Sequence, residues 1–137
     1  MISLIIGSCT QQKNKFPQGA WQLVQSQAVT KDLQGNVIPV DYHPVFTKMW
    51  SESHFSFIGQ WKRDTTIIDF YGGGTYKLEG NRYEEKILYH FNKNVVGQTF
   101  KMLLELKNDT FIQTYPVNEN GQINKSDNYI EKYIILK

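Results

Sequence analysis

Along most of this chain apolar and polar residues alternate one by one, the period of a strand with one face buried. Positions 19–24 open the first such strand, with Trp21 and Leu23 on one face. Positions 31–44 hold Gly35, Asn36, Pro39 and Pro44 and read as a long loop with a short strand at 36–40. A short strand at 45–50 follows. Then 54–61 places Phe55, Phe57 and Trp61 on one face and His54, Ser56 and Gln60 on the other. Positions 65–71 are rich in β-branched residues, and Gly72-Gly73-Gly74 breaks the chain or bulges it at a corner. The most explicit stretch is 75–91, two arms around Leu78-Glu79-Gly80-Asn81-Arg82, where Gly and Asn tolerate the backbone angles of a hairpin turn. In its second arm Tyr83, Ile87, Tyr89 and Phe91 share a face with one carboxylate, Glu85. Phe100, Met102, Leu104 and Leu106 mark the next strand, Phe111, Gln113 and Tyr115 the one after. Positions 116–128 have no helical period. The last strand, 129–136, carries Tyr129, Glu131, Tyr133 and Ile135 on one face and Ile130, Ile134 and Leu136 on the other, so it is expected to be covered on both sides. Eight to ten strands joined by short turns, with no helical stripe, predict an all-β, antiparallel up-and-down barrel. Eight strands are about the fewest that leave room for a small ligand.

Composition sharpens this only in places. The chain has 137 residues, one domain's length, with Lys+Arg 15 against Asp+Glu 13. No basic stripe points to nucleic acid. Eight Tyr, eight Phe and three Trp suit strands, and suit either a lined cavity or a filled one. The one cysteine, Cys9, rules out an internal disulfide and a multi-cysteine metal site. It follows the apolar run Met1 to Ile6 and the small residues Gly7-Ser8, and a polar run follows it. Ile6-Gly7-Ser8-Cys9 resembles the lipobox of a bacterial lipoprotein signal, where small residues admit the peptidase and the thiol carries the lipid. The segment lacks a basic start and is short for a signal. On this reading 1–18 is a signal remnant and polar tether, 19–137 is the barrel domain, and the protein is held in the cell envelope, periplasmic or surface-exposed. The alternative is that the start of the chain is a strand of the domain.

Several stretches together carry a wider likeness. Gly19-Ala20-Trp21 matches the Gly-x-Trp at the head of a lipocalin's first strand. With 48–57 (KMWSESHFSF), 73–85 (GGTYKLEGNRYEE) and 109–113 (DTFIQ), the chain resembles a lipocalin-like, calycin-type family of secreted lipoproteins from gut Bacteroidetes, from about Gly19 onward. The resemblance implies a barrel whose tryptophan plugs the closed end, and lends no catalytic residues. It departs from lipocalins proper in three ways: no Thr-Asp-Tyr-type second motif, a loop at 116–128 in place of the flanking helix, and no arginine over the tryptophan, a place left to Lys132 or Lys137.

His43, His54 and His90 have no metal-ligand spacing, and His54 and His90 fall on faces assigned outward. There is no Gly-x-Ser-x-Gly elbow and no phosphate loop. Catalytic residues, metal and cofactor are therefore not expected. Glu85, Gln113 and Glu131 are polar residues on otherwise apolar faces, the usual make-up of a small-molecule site. The expected ligand-binding set is Trp21, Phe55, Phe57, Tyr76, Tyr83, Glu85, Tyr89, Gln113, Tyr115, Glu131 and Tyr133, around a small hydrophobic or amphipathic molecule. The alternative function is a protein-interaction or inhibitor module with a filled barrel, acting through loops 31–44 and 116–128.

Overall fold

The computed structural model describes residues 16–137, so Cys9 and the lipobox lie outside the described residues. Nine strands are present: β1 (Gly19–Lys31), β2 (Val37–Tyr42), β3 (Val45–Trp50), β4 (His54–Arg63), β5 (Thr66–Glu79), β6 (Arg82–His90), β7 (Thr99–Lys107), β8 (Thr110–Tyr115) and β9 (Asn128–Ile135). The single helical segment among the described residues is one 3₁₀ turn, Lys93–Val95. All neighbouring strands are antiparallel, and β9 pairs back onto β1 from Trp21↔Ile135 to Val29↔Asn128. This closes the sheet into the expected barrel. β1 gives its other edge first to β3 (Gly19↔Trp50) and then to β2 (Ser26↔Tyr42). β2 therefore prolongs β3 beyond His43-Pro44, and the closed wall has eight strands. Within the expected loop at 31–44, the short strand expected at 36–40 is β2, longer than expected and paired with β1, which itself runs through Lys31.

Short turns join β3 to β4, β5 to β6 and β7 to β8 at one end of the barrel. At the β5–β6 turn Gly80 takes φ +62°, a conformation open to glycine at little cost. The same end is plugged by aromatic rings. Trp21 meets Phe111 edge-on at 5.0 Å, Phe16 meets both at 5.9 and 5.8 Å, and Phe111 stacks on Tyr133 at 4.5 Å. The Trp21 indole Nε1–H donates to the Pro17 carbonyl at 2.8 Å, so its polar edge is satisfied inside the plug. Phe16 and Pro17, read from sequence as the end of a tether, are thus packed against the barrel.

Two register shifts decide which residues face inward. One lies between Leu23 and Gln25 in β1, and moves the inward parity from Trp21 and Leu23 to Ser26 and Ala28. The other lies where Gly73 opposes Tyr89 and Gly74 opposes Ile87, leaving Leu88 unpaired in β6. The glycine triplet does not break the chain; it sits inside β5 at this bend. A Cβ on Gly74 would lie 1.9 Å from the Lys86 carbonyl oxygen, so only glycine permits the approach. β9 is covered on its inner side only: Glu131 and Tyr133 are buried, whereas Ile134 and Leu136 are exposed.

Candidate functional site: a polar network beneath an aromatic chamber

Above the aromatic plug the barrel holds buried polar groups. β3 alternates Phe46, Lys48 and Trp50 inward, so Lys48 enters the interior with 4% of its surface exposed. β6 delivers Glu85 beside it and the two form an ion pair. The Lys48 ammonium also lies 5.1 Å from the Trp50 and Phe55 ring centres and 5.8 Å from that of Tyr83, where ring quadrupoles attract a cation. The Trp50 Nε1–H donates to the Tyr83 hydroxyl at 2.7 Å, and that hydroxyl donates to Glu85 Oε1 at 2.7 Å. Lys48 Nζ donates to Gln113 Oε1 at 3.2 Å, and Gln113 Nε2 donates to Glu131 Oε2 at 3.2 Å. The hydroxyls of Tyr115 (2.9 Å) and Tyr133 (2.6 Å) both donate to Glu131. The chain Trp50–Tyr83–Glu85–Lys48–Gln113–Glu131 thus crosses the barrel, and none of its side chains has a buried polar atom without a hydrogen-bond partner. Such matching is what makes buried polar groups tolerable.

Burial pushes the Tyr83, Tyr115 and Tyr133 hydroxyls far above the usual tyrosine range, and the adjacent carboxylates push the same way, so all three stay protonated donors. Burial raises the Glu131 carboxyl too, against the opposing pull of Tyr133, Lys48 and Tyr115. His90 is shifted down, chiefly by burial. Its Nδ1 lies 3.0 Å from the Asn92 backbone nitrogen and 3.2 Å from the Asn92 carbonyl oxygen, accepting from the one or donating to the other according to the tautomer.

Two chambers open over this network. The inner one, about 270 Å³, is walled by Phe57, Phe100, Met102, Ile87 and His90, with Lys48, Glu85, Gln113 and Tyr133 at its floor. The outer one, about 470 Å³, is walled by Ser26, Tyr42, Pro44, Trp61, Ile68 and Tyr129. Phe46, Phe70, Phe91, Tyr115 and Glu131 line both, and so form the neck between them.

The expected site residues divide accordingly. Phe57, Glu85, Gln113, Tyr115, Glu131 and Tyr133 line the chambers. Trp21 and Phe55 are buried beneath them, in the plug and under Lys48. Tyr83 is fully buried as a link of the network, and Tyr76 packs against it and donates to the Ser51 carbonyl at 2.7 Å. Tyr89 is on the outer surface, 73% exposed, because the unpaired Leu88 reverses the alternation after Ile87. The same reversal turns His90, assigned outward from sequence, into the chamber, while His54 is exposed as expected. Lys48 was missed, although its signal was the one that singled out Glu85: a charge between Phe46 and Trp50 on one face. Phe46, Phe70, Phe100 and Met102 were missed as lining residues. Glu85 is held by the Tyr83 hydroxyl, and Gln113 serves Lys48 and Glu131.

Against curated proteins and against solved structures, the chain matches none. A family model does match, over residues 17–134, from the proline that anchors Trp21 to the end of the closing strand, and its description is "Domain of unknown function (DUF4488)". The chain belongs to that family.

Proposed function

We propose that this protein is a non-enzymatic carrier that holds a small amphipathic molecule in the barrel, its apolar part against the aromatic walls and its polar end at the buried network. The observation that carries the reading is the pair of connected chambers floored by polar side chains. A barrel filled by its own rings would not leave this space. A pocket of a few hundred Å³ with apolar walls and a few convergent polar groups is the usual small-molecule site. The network's donors and acceptors already satisfy one another, which suits holding a ligand better than turning one over.

The envelope location belongs to the same proposal. The described chain enters at the plugged end, through Phe16. Six residues, 10–15, lie between it and Cys9, so the two can be at most about 25 Å apart along an extended chain. A lipid on Cys9 would therefore tether the barrel by its closed end and leave the mouth turned away from the membrane.

The test is native mass spectrometry of protein taken from its own host, followed by uptake of decyl-chain amphiphiles by delipidated protein. Bound mass, or saturable uptake at one equivalent, is the expected result. Protein that carries no extra mass and takes up no amphiphile would overturn the reading in favour of an interaction module.

A further inference from the structure

The chambers carry more negative than positive charge. Among the described residues lining them, the side chains able to bear charge near neutral pH are Glu85, Glu131, Lys48 and His90. Burial shifts His90 toward its neutral form. Lys48 is paired with Glu85, donates to Gln113 and lies against three rings. An anionic headgroup reaching Lys48 would share it with Glu85 and bring two like charges together in the interior, which is unfavourable. Glu131 is the carboxylate left over. Its three partners, Gln113, Tyr115 and Tyr133, are neutral donors: they solvate its charge but do not cancel it.

The position of Glu131 matters as much as its charge. It is one of the five residues lining both chambers, and the other four are Phe46, Phe70, Phe91 and Tyr115. The neck is therefore aromatic side chains set around one carboxylate. Ring faces and a carboxylate both attract an organic cation, and an aromatic cage is a recurrent way to bind an ammonium group. A carboxylate or phosphate headgroup at the same neck would meet Glu131 as a like charge.

Resting on the carrier reading above, we propose that the ligand is a cationic amphiphile, with a protonated amine or quaternary ammonium head seated in the neck against Glu131. Its apolar part lies along the aromatic walls of the outer or the inner chamber.

The test compares three ligands of one chain length, decyltrimethylammonium, 1-decanol and decanoate, by titration calorimetry on delipidated protein at pH 7.5. The cation is expected to bind at least tenfold more tightly than the alcohol, and decanoate most weakly. Glu131→Gln should bring the cation-to-alcohol ratio close to one. Phe70→Leu, which leaves every charge in place, should lower the ratio for the quaternary ion by several-fold, and keeps the proposal testable should Glu131→Gln fail to fold. Equal affinity for cation and alcohol, tighter binding of decanoate, or a ratio unmoved by both variants overturns the cation assignment while leaving the carrier reading standing. No binding of any of the three overturns the carrier reading, and the cation assignment falls with it.

Discussion

Lys48, Glu85 and Glu131 show how three buried charges are kept in a small barrel. Taking an ion from water costs several kcal/mol, offset only by a partner and full hydrogen bonding. Lys48→Met would strip Glu85 of its cation and is expected to cost about 3–5 kcal/mol. Adding Glu85→Leu should restore most of that, because an apolar pair of similar size replaces the ion pair, and urea unfolding of the two variants measures both values. Glu85→Leu alone should be destabilising, since it abandons Lys48; without Lys48 in view, the same change would look harmless. Glu131 sets a pH dependence. Its folded carboxyl is raised above the ordinary value of 4.5, chiefly by burial, so over that window the native state holds more protons than the unfolded one. Stability assignable to Glu131 is therefore highest below that value and falls as pH rises through the folded one. Glu131→Gln should remove this slope, gaining on the wild type as pH rises, by about 1.4 kcal/mol for each pH unit by which the group is raised. Denaturation curves for both proteins from pH 4 upward decide it; parallel pH profiles would exclude Glu131 as the cause.

At the scale of elements, alternation alone revealed the barrel and most of its faces, because period two is a direct readout of which side is buried. It placed Phe55, Phe57 and Trp61 together on β4, and Phe111, Gln113 and Tyr115 together on β8. It failed after Leu88, where one extra residue turns every later side chain of β6 to the other face. The hint lay on the partner strand, in three glycines: Gly73 and Gly74 let backbones approach too closely for a Cβ, and Gly72 makes room for the Phe57 ring. Phe70 was missed for another reason: its place in the chambers is set by strands distant in sequence, which no local period records. The bulge gives a paired prediction. Gly74→Ala must push the Lys86 carbonyl aside and is expected to cost about 1–3 kcal/mol or more. Tyr89→Ser, fifteen residues later on the outer wall, should stay within about 0.5 kcal/mol and leave ligand affinity untouched. A large effect at Tyr89 with none at Gly74 would mean that the β5–β6 register is misplaced.

For the molecule as a whole, stability and the proposed binding make opposite demands on the same interior. The plug of Phe16, Trp21 and Phe111 lines neither chamber, whereas the two chambers leave ring faces without contacts, and a void of this kind forfeits dispersion energy. A barrel under selection for stability alone would fill that space with larger side chains. Ser26 is the place to test the trade. The bulge after Leu23 turns it inward, it is 6% exposed, and it lines the outer chamber. Its backbone pairs with Tyr42 on one side and Glu131 on the other, so a larger side chain there extends into the chamber without altering the sheet. Its hydroxyl makes no side-chain hydrogen bond that holds the network together. Ser26→Phe should therefore raise or preserve the unfolding midpoint, because added apolar surface is buried in existing space. It should also weaken decyl-chain uptake by tenfold or more, about 1.4 kcal/mol, by occupying the way to the neck. Thermal unfolding and ligand titration on the one variant measure both effects. Loss of binding together with loss of stability would mean only that the barrel was disturbed. Retained binding would mean that the outer chamber is not the route to Glu131. Gain of stability with loss of binding is the outcome expected of a barrel kept hollow for its ligand.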